Sequence, residues 1–107
     1  MPTIDLNQCL SPKSDVLIGY EYGQRVRNQL GLDQLDAVPE VVTVSFPGRL
    51  DLLAPSFAQG FFGKSVLRLG RDQFYVHYDF SGWPGVMRDQ VETGVQRALM
   101  NREEVVG

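Results

Sequence analysis

Three side chains in this sequence have the types needed for nucleophilic catalysis: Ser56, His77 and Asp79. A serine nucleophile needs a histidine base that is itself oriented by a carboxylate. His77 and Asp79 are two residues apart in an alternating segment, so they would share one strand face, where neither orients the other well. The chain also lacks the Gly-x-Ser-x-Gly pattern that exposes a nucleophilic serine on a sharp turn. We therefore expect no catalytic residue and no enzymatic activity.

Metal and cofactor chemistry find little support either. His77 is the only histidine, so a histidine-based metal cluster cannot be assembled. Lys64 follows Gly63, but the glycine that a phosphate-binding loop requires five positions earlier is missing. Cys9 has no Lys, Arg or His within three residues to lower its pKa, which favours a buried, unreactive thiol. We expect neither a metal nor a cofactor.

Composition sets the class of protein. The chain has 107 residues, 43% of them hydrophobic and 21% charged, which predicts one globular domain spanning residues 1–107. The ten Lys and Arg residues form no run and the net charge is -3, so nucleic acid is not an expected partner. The single cysteine, the lack of a signal peptide and the lack of an apolar run of about 20 residues predict a cytoplasmic protein outside the membrane.

The N-terminal half predicts a short strand and a helix. Polar and apolar residues alternate over residues 3–7, as in a half-buried strand. A helix follows, beginning either at a cap near Asp15 or later, near Tyr20, and ending at Gly31 in a left-handed conformation. Its glycines indicate close backbone packing, and Arg27 is expected to face water. Residues 32–39 are expected to form a linker.

The middle of the chain predicts a parallel βαβ unit. Residues 40–46 form a β-favouring run with apolar residues on both faces, typical of a central strand. A helix follows with Ser56 as N-cap and Gln59 completing a capping box, and Gly70 ends it. Residues 73–80 alternate like an amphipathic strand near a sheet edge. A right-handed parallel crossover should join the two strands.

After a turn at residues 81–85, the last segment predicts a helix that covers the sheet. Val91, Val95 and Ala98 recur on its apolar face at helical spacing. With the N-terminal strand as a third member, the fold class is α/β: a small mixed sheet around the βαβ unit, with about three to four strands and three helices.

Several local strings of the sequence resemble the STAS-like family of unknown function, which is related in shape to anti-sigma-factor antagonists. The matching strings are residues 20–26, residues 42–48, Pro55-Ser56-Phe57-Ala58 and residues 61–63. The strings comprise 21 of the 107 residues, and with the order of the elements the resemblance extends over about two-thirds of the chain. The resemblance implies a small STAS-like mixed sheet and a non-enzymatic protein-interaction module that switches partners. It further implies a protein partner such as a kinase-like ATPase or the target of one.

Ser56 is the residue that the resemblance singles out. In related antagonists a serine at a helix N-terminus is phosphorylated to change partners, and Ser56 is similar in position. A phosphate carrying about -1.5 to -2 charges is compatible with the positive end of a helix dipole. The alternative interpretation is that Ser56 only caps the helix.

The loop at residues 47–55 is where we expect a partner to bind, because ligands of open α/β sheets bind beyond the carboxyl ends of the strands. The predicted partner-binding or regulatory residues are Arg49, Leu50, Asp51, Leu52, Leu53, Ser56 and Phe57. Alternatively, the leucines plug the sheet edge, or they form a homodimer contact. A second functional interpretation is a small phage or mobile-element protein that inhibits a host protein by binding it.

Overall fold

The computed structural model describes residues 2–10 and 15–106 of an α/β protein. Within them, five strands form two small sheets. The strands are β1 (Thr3–Asp5), β2 (Val16–Leu17), β3 (Val42–Ser45), β4 (Leu52–Leu53) and β5 (Tyr78–Asp79). The α-helices of the described residues are α1 (Tyr20–Leu30), α2 (Leu32–Leu35), α3 (Pro55–Leu69), α4 (Arg71–His77) and α5 (Gly85–Val106). The α/β class is confirmed, with more helices than the three predicted.

The larger sheet has the order β1-β3-β5 with parallel pairing throughout. Ile4 lies opposite Val44 and Val42 lies opposite Tyr78, and all four side chains are buried. The predicted central strand and the parallel connection to an edge strand are therefore confirmed. The predicted N-terminal strand is shorter than residues 3–7, because a 3-10 helix begins directly after Asp5.

The predicted strand at residues 73–80 is wrong for most of its length. Gly70 ends α3 with φ of 84°, and α4 begins at the next residue, leaving two residues for β5. Phe74 and Tyr78 are both buried, and their spacing of four suits a helical turn as well as a strand. Val76, which a strand would bury beside them, is 63% exposed.

The first helix begins at Tyr20, the later of the two predicted starts, and Gly31 ends it with φ of 70° as expected. β2 occupies the place of the earlier start. The prediction that Arg27 faces water is wrong, since its side chain is 1% exposed. The predicted linker at residues 32–39 contains the short helix α2.

Three helices pack through glycines, with α3 between α1 and α5. A Cβ on Gly60 would lie 2.1 Å from the Tyr20 carbonyl oxygen, and one on Gly23 would lie 2.5 Å from the Phe57 carbonyl oxygen. At the other side of α3, a Cβ on Gly94 would lie 2.6 Å from the Ala58 Cβ. The close packing predicted for the glycines of the first helix is confirmed for Gly23.

The last helix buries the face predicted for it, including Val91, Val95 and Ala98. The turn before it is anchored by Trp83, whose indole Nε1–H donates to the Val44 carbonyl oxygen at 2.7 Å. No helix among the described residues is both long and apolar enough to cross a membrane.

Candidate functional site

A two-stranded ribbon made of β2 and β4 lies beside the N-terminus of α3. Its register pairs Val16 with Leu52 and Leu17 with Leu53. Leu17 and Leu53 point into the core and are 0% exposed. Successive residues of a strand face opposite sides, so Val16 and Leu52 face outward, and the alternation of burial continues to Ile18. We call the outward side chains of Val16, Ile18 and Leu52 the ribbon face.

The ribbon face is apolar although it meets solvent. Ile18 is 51% exposed and Leu52 is 43% exposed. Tyr20, two residues after Ile18 and the first residue of α1, is 44% exposed. Strands that face solvent on one side usually carry polar residues there, so this surface departs from the pattern of a solvated sheet.

Ser56 joins the N-termini of two helices next to this surface. Its Oγ accepts a hydrogen bond at 3.2 Å from the backbone N–H of Gly19, the residue between Ile18 and Tyr20. Gly19 has φ of 107°, a conformation that only glycine adopts readily, and it directly precedes α1. The serine therefore links the start of α3 to the start of α1.

The predicted capping box at Ser56 is wrong. The N-cap of α3 is Ala54, whose carbonyl oxygen accepts from the backbone N–H groups of Phe57 and Ala58. Pro55 takes the first helical position, where its missing N–H costs nothing. The helix therefore starts two residues earlier than predicted, and the Ser56 hydroxyl bonds Gly19 instead of its own helix.

The structure divides the predicted surface residues into two groups. Leu50, Leu53 and Phe57, which are among the predicted partner-binding residues, are core residues with 6%, 0% and 0% exposure. Arg49, Asp51 and Leu52 are exposed and Ser56 is partly exposed. For Leu52 and Leu53 the division has a physical cause, since pairing with β2 turns one residue of β4 outward and the next toward the core.

Two aspartates lie at the beginning of the ribbon. The backbone N–H of Asp51 donates to the Asp15 carbonyl oxygen at 2.7 Å, and the register continued by one residue places them opposite each other. Both residues are exposed. No ion pair among the described residues involves either carboxylate.

A buried polar cluster lies at the other ends of α1 and α3, and it was not predicted. The Arg27 guanidinium bonds Asp36 at 3.0 Å and Asp33 and Ser65 at 2.8 and 2.7 Å. The Asp36 carboxylate also accepts from the Ser65 and Tyr78 hydroxyls. The guanidinium holds the pKa of the Asp33 carboxyl below its usual value through a hydrogen bond and through its charge. The cluster fixes α2 against α1 and α3.

An open groove of about 470 Å³ lies between α4, β5 and the first turns of α5. One wall is a set of internal pairs around Glu92, whose carboxylate accepts from Arg71 at 2.9 Å and from Tyr75 at 2.6 Å. Burial raises the pKa of Glu92, but hydrogen bonds from Gln96, Tyr75 and Arg71 outweigh it and leave the pKa lowered. Since the Glu92 carboxylate already binds Arg71 and Tyr75, this wall has few polar groups left to bind a ligand.

The residues of the conceivable triad have separate partners. His77 Nε2 lies 2.6 Å from the Leu35 carbonyl oxygen, and the Asp79 carboxylate accepts from the Ser81 backbone N–H at 2.8 Å. Ser56 bonds Gly19. The hydrogen bonds of the described residues therefore do not connect a serine, a histidine and an aspartate into a catalytic relay.

Among the described residues, no group of His, Cys, Asp and Glu side chains has the arrangement of a metal site. Comparison of the chain with protein-family models, curated proteins and solved structures gives no match.

Proposed function

We propose that this chain is a non-enzymatic protein-interaction module that binds its partner through the ribbon face. The observation that carries the proposal is the exposure of Ile18 and Leu52, at 51% and 43%, on the outer side of a ribbon whose inner side is already core. Contiguous apolar surface on a soluble domain is typical of protein-binding sites. A complex in which the partner covers these side chains would be stabilised by the burial of their apolar surface.

Ser56 is proposed as the control point of this surface. Its hydroxyl bonds the residue that follows Ile18, so a group added to it lies next to the ribbon face. A phosphate would bring about -1.5 to -2 charges beside apolar side chains and would disfavour an apolar partner. The same phosphate would meet the N-termini of α1 and α3, whose dipoles favour negative charge.

The resemblance to STAS-like regulatory proteins supports a specific first partner to test. That partner is a kinase-like ATPase or its target, acting with this module in the cytoplasm. The exposed Asp51 and Arg49 at the ribbon's edge would contribute polar contacts around the apolar centre.

The test is affinity capture of the tagged chain from its native cells, followed by mass spectrometry. Leu52→Asp places a charge on the ribbon face, and Val76→Asp is the matched control because Val76 is 63% exposed on α4. We expect one specific partner that is lost with Leu52→Asp and Ser56→Glu and kept with Val76→Asp and Ser56→Ala. A partner that tolerates Leu52→Asp, or no specific partner at all, would overturn the proposal.

Self-association is the main competing use of an apolar face. Analytical ultracentrifugation of the purified chain over a range of concentrations distinguishes it. A dimer that disappears with Leu52→Asp but not with Val76→Asp would assign the ribbon face to a second copy of this chain instead of a different partner.

A further inference from the structure

We infer that the groove between α4, β5 and α5 binds a small zwitterion, a molecule that carries an amino group and a carboxylate on an apolar body. This site goes beyond the proposed function, because it takes a small molecule, and it shares no residue with the ribbon face. The groove has a volume of about 470 Å³. That volume lies within the range of small-molecule sites in proteins.

The groove lies at the carboxyl end of a parallel strand. β5 ends at Asp79, and Phe80 and Ser81 line the groove directly after it. The opposite side begins with Gly85, the first residue of α5. Ligands of open α/β sheets bind beyond the carboxyl ends of the strands. The fold therefore provides a common type of ligand site at this place.

Two of the charged groups in the groove are already paired within the chain. The guanidinium of Arg71 bonds the Glu92 carboxylate at 2.9 Å, and its central carbon lies 5.5 Å from the centroid of the Tyr75 ring. The Tyr75 hydroxyl donates to the same carboxylate at 2.6 Å. These contacts hold the three side chains in place, so this wall gives the groove a fixed aromatic side with little net charge.

Arg88 and Asp89 supply unpaired charges of both signs. Both residues line the groove and both are exposed. Within residues 2–10 and 15–106, neither side chain has an ion-pair or hydrogen-bond partner. Neighbouring residues of a helix do not face each other, so the guanidinium and the carboxylate do not pair across the helix surface. A ligand in the groove therefore meets one free cation and one free anion.

Asp79 adds a second carboxylate to the groove. One of its oxygens accepts from the Ser81 backbone N–H at 2.8 Å. This bond and a second from the Ser81 hydroxyl hold the pKa of the Asp79 carboxyl below its usual value, so the group is ionised near neutral pH. A carboxylate has about four acceptor sites, and Ser81 leaves some of them for a ligand.

The mixture of free charges selects the class of ligand. Opposite charges across an interface favour binding, and like charges oppose it. A simple anion would pair with Arg88 but would also meet the carboxylates of Asp79 and Asp89. A simple cation would pair with the carboxylates and leave Arg88 facing its positive charge. A zwitterion satisfies both signs, with its carboxylate on the guanidinium and its amino group on the aspartates.

The aromatic side of the groove specifies the rest of the ligand. Tyr75 and Phe80 line the groove next to the charged groups. Aromatic side chains offer apolar surface, and small-molecule sites combine such surface with a few polar groups that fix orientation. Free amino acids with apolar side chains have the required chemistry.

The test is a titration of the isotope-labelled full chain with free amino acids that have apolar side chains, followed by amide chemical shifts. Each amino acid is compared with the amine that lacks its carboxylate and the acid that lacks its amino group. For phenylalanine these are phenethylamine and hydrocinnamate. We expect at least one amino acid to shift the amides of Asp79, Ser81 and Gly85. Both of its analogues should bind roughly three- to tenfold more weakly, as expected for the loss of one charge contact.

Variants at the free charges test the same contacts from the side of the protein. Arg88→Gln and Asp79→Asn/Asp89→Asn should each weaken binding of the amino acid roughly three- to tenfold. Arg88→Gln should not weaken binding of the amine analogue, which has no carboxylate to lose. The matched controls are Arg97→Gln and Glu21→Gln/Glu40→Gln, which remove the same charges from exposed positions outside the groove and should leave binding unchanged.

Each failure identifies the statement that is wrong. An amine or acid that binds as tightly as its parent amino acid would overturn the zwitterion, because one of the two charges would then contribute nothing. Binding that survives Arg88→Gln or Asp79→Asn/Asp89→Asn, shifts confined to amides elsewhere, or no binding by any of the amino acids would overturn the site itself. None of these results bears on the ribbon face, which Leu52→Asp tests separately.

Discussion

The guanidinium of Arg27 bonds the carboxylate of Asp36 at 3.0 Å, with both side chains almost fully buried. The pair lies nine residues apart in sequence and joins α1 to the segment after α2. A buried charge is costly unless it is paired and hydrogen-bonded. Here the Ser65 and Tyr78 hydroxyls also donate hydrogen bonds to the Asp36 carboxylate.

Removal of one member of this pair should strongly destabilise the fold. Asp36→Ala leaves Arg27 buried with its main counter-charge gone, and we expect a loss of about 3–5 kcal/mol in the free energy of unfolding. The measurement is urea denaturation followed by circular dichroism. Arg27→Met/Asp36→Ala should cost less than the sum of the two single changes, because it leaves no unpaired charge from this couple. Additive effects would contradict the pairing.

The contact between α1 and α3 should be intolerant of a methyl group at Gly60. Within a helix, Gly→Ala usually stabilises by about 1 kcal/mol. A Cβ here would lie 2.1 Å from the Tyr20 carbonyl oxygen, which is backbone and cannot move aside cheaply. We expect Gly60→Ala to destabilise by roughly 1–3 kcal/mol instead, as overpacking does.

The matched control for that change is Gly85→Ala. Gly85 begins α5, and a Cβ there would meet no atom within 4 Å. Thermal unfolding of both variants should show a lowered midpoint for Gly60→Ala alone. Equal midpoints would mean that the two helices separate at little cost.

The sequence predicted those features that depend on one or two neighbouring residues, such as the ends of helices. Gly31 and Gly70 end helices with positive φ, as their positions indicated. Residues 73–77 were misread as a strand because Phe74 and Tyr78 fit both a period of two and a helical turn. Their environment decides between the two, since Phe74 packs against the Phe62 ring at 5.4 Å between centroids, and that contact is not visible in the local pattern.

The sequence predicted only part of the candidate site, again because its local pattern does not show which residues pack together. Leu52, Asp51 and Ser56, which are among the predicted residues, lie on or beside the ribbon. Ile18 was missed because its segment was assigned to a helix. Val16-Leu17-Ile18 is rich in β-branched residues and precedes a glycine, which is a strand signal. Arg27 was misplaced because Ser65, one of its partners, is 38 residues away.

The phenols of Tyr75 and Tyr78 should resist ionisation at alkaline pH. Burial raises the pKa of both, and hydrogen bonds to Glu92 and Asp36 raise it further. Because the folded pKa exceeds the unfolded value of about 10, their contribution to stability is complete below that pH. It is lost as the pH rises toward the folded pKa.

An ultraviolet absorbance titration of the phenolates tests this expectation. The native chain should show ionisation well above pH 10, accompanied by loss of stability, and the high-pH component should shrink in Tyr75→Phe and in Tyr78→Phe. A single ordinary phenol titration in the folded protein would contradict it.

The thiol of Cys9 should react only when the chain unfolds. Its side chain is buried, and burial together with the nearby Asp5 carboxylate raises its pKa to about 12. Since the thiolate is the reactive form, labelling by a thiol reagent near neutral pH should be slow and should accelerate with urea as unfolding does. Cys9→Ser/Gly82→Cys places the only thiol in the exposed turn before α5 and should label rapidly without urea. Equal rates for the two proteins would show that the N-terminal segment opens independently of the rest of the fold.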